Sequence, residues 1–275
     1  MTMTTSSADQ KSRCAAAFNQ IAADYDNQES QRDGGTWLVE QAALPPGAHV
    51  LDVATGTGWA AIAAAKMVGS TGSVVGVDLA RDMLDQAQRK VDKLGIRNIE
   101  LRAGDAERLD FGDNNFDAVI CASGLFFVPD MLAAVREWRR IVKPGGQVAF
   151  TSYGTTRKQP LVALYKARLS KFGVAMQPSS VVRLSDPDTC CSLLHEAGLA
   201  QVEVRSEQRG YYLQSADLYW QTEVWSSSLR QGLMSMAPAQ LEQFKAEHLT
   251  EVAALATPQG IWLDAPFNFA RGWKQ

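Results

Sequence analysis

In the stretch VLDVATGTGWAA, residues 50–61, an acid and two glycines stand close enough to build a ligand-binding loop. Asp52 lies four positions before Gly56, and Gly56, Gly58 and Ala61 follow the Gly-x-Gly-x-x-Ala spacing of a turn from strand to helix. Glycine has no Cβ, so a ligand can approach the backbone of such a turn closely. Asp78 falls 20 residues after Gly58 and ends the next apolar run, SVVGVD. A carboxylate there can accept hydrogen bonds from the vicinal hydroxyls of a ribose. The competing reading is a tight turn whose glycines serve helix packing alone.

The spacing admits both NAD(P) and S-adenosylmethionine. Asp52 is expected to separate them. A fixed carboxylate beside a pyrophosphate is unfavourable, whereas beside the ammonium and sulfonium of S-adenosylmethionine it is favourable. That Asp52 only caps backbone groups of the turn is the alternative. An NAD(P)-dependent oxidoreductase would also need a proton relay such as Tyr-x-x-x-Lys after the fourth or fifth strand, and residues 123–153 show none in that form. A third reading is a non-catalytic relative of the fold that binds a partner protein through its cap.

The elements around these residues alternate. Apolar runs predict strands at 48–54, 73–78, in NIELRAGD, in FDAVICAS and in QVAFTSY, with helices at 58–68, 81–94 and 131–142 between them. Two further helices are expected before the first strand, one from Ala15 and one over 36–43. Alternating β and α segments imply an α/β fold, a parallel sheet with helices on both faces. Its ligands sit beyond the carboxyl ends of the strands, where strand order reverses. Asp52, Gly56, Asp78, Asp105 and residues 121–125 all lie at or just past such ends. After Gly154 a helix over 161–172 is expected, then one started by Ser185-Asp186-Pro187, a sixth strand QVEVRSE, two helices in 215–255 and a final strand pair or bent strand, GIWLDAPFNFARGW.

The 275 residues suffice for one large domain with a sizeable core. Residues 1–14 are expected to be disordered and 15–275 to form a single domain, with lid or cap segments at about 15–45, 155–185 and 212–258. The formal net charge is -3 and no basic stripe stands out, so nucleic acid is not the expected partner. The opening MTMTTSSADQKS has no apolar core and no stretch of about 18 apolar residues occurs, so neither a secretory leader nor a membrane span is expected and the location is read as cytoplasmic. Cys14, Cys121, Cys190 and Cys191 form no Cys-x-x-Cys pair and are read as reduced thiols. With His49, His195 and His248 scattered as well, no metal site is expected.

VLDVATGTG, VVGVDLARDML, RAGDAERLDF, FDAVICASGLFFVPD and RIVKPGGQVAF follow one another in order. This set resembles the class I S-adenosylmethionine-dependent methyltransferases, and within them the ubiquinone/menaquinone biosynthesis (methyltransferase type 11) branch, over about residues 15–155. The resemblance implies a Rossmann-like sheet of seven strands, mostly parallel with the last antiparallel, plus helical cap insertions. It implies S-adenosylmethionine as cofactor and S-adenosylhomocysteine as product. By the same resemblance, Asp52 and the loop Ala54, Thr55, Gly56 and Gly58 would hold the methionine part. Asp78 would bind the ribose, Leu79 and Met83 would flank the adenine, Asp105 would accept from its amino group and Ala106 would offer a backbone amide. Ala122 and Ser123 would meet the methionine moiety, and Tyr25 would help close the lid. Asp110 stands where the quinone enzymes usually carry Pro, and NQESQRDGGTW lacks their longer motif, so the quinone is not carried over.

Methyl transfer from a sulfonium works largely by positioning, and a base is needed only where the acceptor must lose a proton. No His lies near these motifs; Tyr153 is the candidate base, with packing as its competing role, followed by Glu223 and Asp217. Tyr211, Tyr212, Tyr219, Trp220, Trp225 and Trp262 make the cap rich in aromatics, either as its own core or as walls for a small apolar or aromatic acceptor. Phe126 and Phe127 are read as the floor of that pocket or as core. The reaction expected is methylation of such a small molecule at N, O or C, by a monomer or a homodimer.

Overall fold

The computed structural model describes residues 6–174 and 179–275, with backbone alone at 29–31 and 228. Two helices, α1 (Ser7–Ile21) and α2 (Glu29–Ala42), precede the alternating part. That part runs β1 (His49–Val53), α3 (Trp59–Val68), β2 (Ser73–Asp78), α4 (Arg81–Leu94), β3 (Ile99–Ala103), β4 (Phe116–Ala122), α5 (Met131–Ile141) and β5 (Val142–Tyr153). Then follow α6 (Leu161–Lys171), α7 (Pro187–Glu196), β6 (Ala200–Gln208), β7 (Tyr211–Leu213), α8 (Ala216–Tyr219), α9 (Pro238–Ala253), β8 (Ile261–Leu263) and β9 (Pro266–Trp273).

Seven strands form one sheet in the order β3-β2-β1-β4-β5-β9-β6. The pairs from β3 to β5 are parallel, and β9 runs antiparallel to both β5 and β6. The expected class I arrangement is therefore present. Strand order reverses between β1 and β4, which opens a crevice at their carboxyl ends. β1, β2 and β4 are buried almost throughout, as their unbroken apolar runs require when helices cover both faces. On one face α3 buries Ala60, Ala61, Ala64 and Ala65, small residues that let it lie close to the strands.

Several expectations are corrected. Residues 6–14 are ordered: Ser6 caps α1 by accepting from the Asp9 amide at 3.1 Å, so the helix begins at Ser7 rather than Ala15. Residues 1–5 of the segment expected to be disordered lie outside the described residues, as do 175–178 of the second cap segment. α2 starts seven residues before the expected position and runs through Gly34 and Gly35. A Cβ at Gly34 would sit 2.9 Å from the Phe267 ring, so the glycine there permits close packing rather than marking a break. α2 also carries Trp37, Leu38 and Val39 into the main core. The final segment is split. β8 pairs with β7 in a separate two-stranded sheet, while β9 enters the main sheet.

The late helices build a second core of their own around Tyr165, Tyr219, Trp220, Val224 and Phe244. Its link to the main body includes a buried ion pair. Lys158 Nζ, on the loop after β5, lies 2.5 Å from Glu223, which also accepts from the Tyr211 hydroxyl at 2.9 Å.

Candidate active site

The crevice holds a cavity whose empty space, mouth included, is about 780 Å³, in the range of small-molecule sites. Ten of the residues expected to bind cofactor line it: Tyr25, Ala54, Gly56, Asp78 and Leu79, then Met83, Asp105, Ala106, Ala122 and Ser123. All but Tyr25 and Met83 arrive at or just past the ends of β1 to β4, so the topology itself converges them.

Asp78 is the best-fixed group. One carboxylate oxygen accepts from the Gly56 amide and the other from the Ala80 amide, both at 2.8 Å. Burial pushes its pKa up, and these amide bonds oppose the shift. The carboxylate keeps free lone pairs, since it offers about four acceptor sites. Asp105 is held similarly in the turn after β3. One of its oxygens accepts from the Glu107 amide at 3.0 Å and the other from Lys11 Nζ at 2.7 Å. Two non-glycine residues on the wall, Ala54 (φ 55°) and Ser123 (φ 53°), adopt the left-handed region, which concentrates backbone strain where a ligand would lie. Ser123 is pinned there by its amide, which donates to the Thr151 carbonyl at 3.2 Å and to its hydroxyl at 3.1 Å.

Asp52, Thr55 and Gly58 do not line the cavity, and the expectation that Asp52 faces a cationic ligand is corrected. Asp52 is fully buried in β1, accepts from the Thr55 hydroxyl at 2.6 Å and leaves Oδ1 without a hydrogen-bond partner. Burial raises its pKa to about 7, against the Thr55 hydroxyl and the Ala61 amide that favour its ionised form. Its carboxylate lies against the Thr55 hydroxyl and the Ala61 amide at the start of α3. It therefore braces the loop from behind. Gly58 also has a packing role: its φ is 86° and a Cβ would meet the Ala87 methyl at 3.0 Å. Gly56 faces open space, so it is the glycine that gives a ligand access.

The loop's amides bear on the choice of ligand. Thr55 N–H donates to the Val77 carbonyl (3.0 Å), Gly56 N–H to Asp78 (2.8 Å) and Gly58 N–H to the Thr55 carbonyl (2.8 Å). A pyrophosphate cradle needs such amides aimed at the ligand. Here three are taken, and two carboxylates stand at the wall.

Sequence reading gave the α1 side of the enclosure no binding residues, although a lid segment was expected at about 15–45. Lys11, Cys14, Ala15 and Phe18 of α1 line the cavity, at the i, i+3, i+4, i+7 spacing of one helix face. That stripe was available, but Lys and Cys at its start hide it from a search for apolar periodicity. Phe127, Val128 and Pro129 complete the wall, with the Phe18 and Phe127 rings edge to face at 5.0 Å. The backbone of this stretch is held by Arg183, whose guanidinium donates to the carbonyls of Phe126 (3.1 Å), Val128 (2.6 Å) and Pro129 (2.9 Å). Nothing local in the sequence marks Arg183 for that role.

The catalytic candidates lie elsewhere. Tyr153 is buried between Phe126 and Phe267, with the Arg157 guanidinium 3.7 Å over its ring, and does not reach the cavity wall. Glu223 is buried and committed to Lys158 and Tyr211; burial works to raise its pKa, but these partners hold it below the usual carboxylate range. Asp217 does not line the cavity either. Of the cap aromatics, Tyr219 and Trp220 fill the second core, and Tyr212 and Trp262 are exposed side by side with ring centres 5.0 Å apart. None of the six aromatics lines the cavity, whose apolar walls come from α1 and the β4–α5 connection. Phe126 is core and Phe127 is wall.

Among the described residues no cluster of His, Cys, Asp or Glu could hold a metal ion, and no helix is long and apolar enough to cross a membrane.

The fold agrees with what the chain is similar to. The demethylmenaquinone methyltransferase of Staphylococcus saprophyticus is 35% identical over 208 residues, which is 69% of this chain and 88% of that one. Among solved structures, the YcgJ protein from Bacillus subtilis has a TM-score of 0.58 at 20% identity, covering 88% of this chain and 98% of that one. An S-adenosylmethionine-dependent methyltransferase from Aquifex aeolicus has a TM-score of 0.51 at 22% identity, covering 68% and 88%. Residues 4–213 match the model of the ubiE/COQ5 methyltransferase family, and the chain belongs to that family of S-adenosylmethionine-dependent enzymes.

Proposed function

We propose that the cavity binds S-adenosylmethionine and that the chain transfers its methyl group to N, O or C of a small apolar or aromatic acceptor. One observation carries the cofactor assignment. Asp78 sits at the end of β2 with both oxygens held by backbone amides, presenting spare lone pairs to the cavity for a ribose diol. The spent amides of the 54–58 loop disfavour a pyrophosphate and hence NAD(P). In this reading Leu79 and Met83 flank the adenine, Asp105 accepts from its amino group, and Ala54, Ala122 and Ser123 adjoin the methionine part.

The bound cofactor supplies a methyl group on a positively charged sulfur, an already activated leaving group. The chain's own work is then to orient acceptor and cofactor and to exclude water. Phe18, Phe127 and Val128 give the acceptor an apolar wall, and Tyr25 and Ser123 bring hydroxyl-bearing side chains to the same cavity. Relatives named demethylmenaquinone methyltransferases put quinol-like aromatics first among acceptors to try. The same reading takes the enzyme as cytoplasmic, its four thiols free, working as a monomer or homodimer.

The test is a thermal-shift titration with S-adenosylmethionine, S-adenosylhomocysteine, NADH and NADPH. A ligand at a hundred times its Kd stabilises by roughly 2.7 kcal/mol. Stabilisation by the two sulfur nucleosides alone is expected; stabilisation by the nicotinamides alone refutes the assignment.

A further inference from the structure

α1 is anchored at one end and latched at the other. At its carboxyl end Ile21 and Ala22 are buried with Ala80 and Met83, and the Asn19 side chain accepts from the Asp82 amide at 3.0 Å. Ile21 is the helix's only buried residue. Three turns earlier, Lys11 lines the cavity. Its ammonium lies 2.7 Å from Asp105 and also contacts Glu107. With its side chain 19% exposed, this contact is less screened than a surface pair. None of residues 7–14 is fully buried, and the ion pairs of Lys11 tie this half of the helix to the turn after β3. Asp105 has acceptor capacity left for an exocyclic amino group while it keeps Lys11.

We propose that Lys11 is a positioning residue for the cofactor: shared by Asp105 and Glu107, its ammonium latches α1 over the adenine end of the cavity and fixes the Asp105 carboxylate. The latch therefore sets how fast S-adenosylmethionine enters and S-adenosylhomocysteine leaves. This inference rests on the proposed function, because the adenine end is defined by that reading.

Two measurements test it. The first is release of S-adenosylhomocysteine, followed by chase with excess unlabelled ligand. The second is amide hydrogen exchange of α1 in the ligand-free protein. Lys11→Met is expected to speed release about fivefold and to raise exchange over residues 7–14. Lys11→Arg, which keeps the charge, should restore both. Glu107→Gln, altered on the other side of the latch, should shift release in the same direction, and added salt should speed release from the unmodified protein more than from Lys11→Met. Unchanged release from a Lys11→Met protein that still binds the ligand overturns the latch and leaves the cofactor assignment standing. So does acceleration that Lys11→Arg fails to reverse, since packing rather than charge would then be responsible. Failure of the unmodified protein to bind S-adenosylhomocysteine overturns the assignment, and the latch with it.

Discussion

Adding one methyl group at Gly124 tests how the β1 and β4 ends were brought together. A Cβ there would lie 2.6 Å from the Ala54 Cβ and 3.1 Å from the Cys121 sulfur. Ordinary carbon contacts are about 3.5–4.0 Å, so the overlap with Ala54 is roughly 1 Å. Gly124 has φ −110°, which any residue adopts, so the cost of Gly124→Ala is steric alone. Both neighbours belong to packed strand ends, and overpacking of this kind costs about 1–3 kcal/mol. Ala54 sits at φ 55°, so Ala54→Gly relieves left-handed strain while adding chain entropy, and is expected to be near neutral alone. In the double variant the missing Ala54 methyl makes room for the new one. The prediction is a coupling of about 1–2 kcal/mol in the double-mutant cycle, read by urea unfolding. Affinity for S-adenosylhomocysteine should fall in Gly124→Ala and recover in the double variant, because Ala54 and Gly124 both line the cavity. Stability effects that add to within about 0.5 kcal/mol would refute the reasoning, since the two sites would not share the space assigned to them.

Three further outcomes are expected. On the proposed assignment, Asp78→Ala removes the acceptor of two charge-assisted ribose hydrogen bonds, at about 1.5 kcal/mol or more each, so S-adenosylhomocysteine should bind at least about 100-fold more weakly by calorimetry; a loss below tenfold would remove the ribose assignment. Glu223→Gln leaves the Lys158 ammonium, 4% exposed, without its counter-charge and should destabilise by about 3–5 kcal/mol in urea, whereas Glu223→Leu combined with Lys158→Met should regain most of that; a Glu223→Gln protein as stable as the original contradicts the account. Asp52, with a folded pKa of about 7 against roughly 4 unfolded, contributes stability that is complete below pH ~4 and lost as pH rises to about 7. Asp52→Asn should therefore gain on the unmodified protein between those values and hold a constant difference above pH ~7, and a difference independent of pH over that span would show the acid to be unperturbed.

Much of the architecture is local and so was readable from the chain itself. Apolar runs and glycine turns set the order of β1 to β5 and the helices between them, and α4 spans the predicted 81–94. Acids at strand ends then had to meet in one crevice, because parallel strands share a carboxyl edge; Asp78 and Asp105 do. The five motifs in order carried the family. What local patterning does not encode is direction and distant partnership. Asp52 and Ala54 would share a face if β1 continued, but Ala54 leaves the strand at φ 55° and lines the cavity while Asp52 stays buried behind it. Arg183 reaches the carbonyl of Phe126 across 57 positions of sequence. The insertion of β9 between β5 and β6, and the separate core that took up Tyr219 and Trp220, follow from packing among elements far apart in the chain. α1 is the sharpest case: its first residues, 7–14, are expected from sequence to be disordered, whereas in the fold they are helical and Lys11 meets Asp105, 94 residues away. Burial and charge pairing between remote segments depend on where the whole chain places them, so only the tertiary structure could decide them.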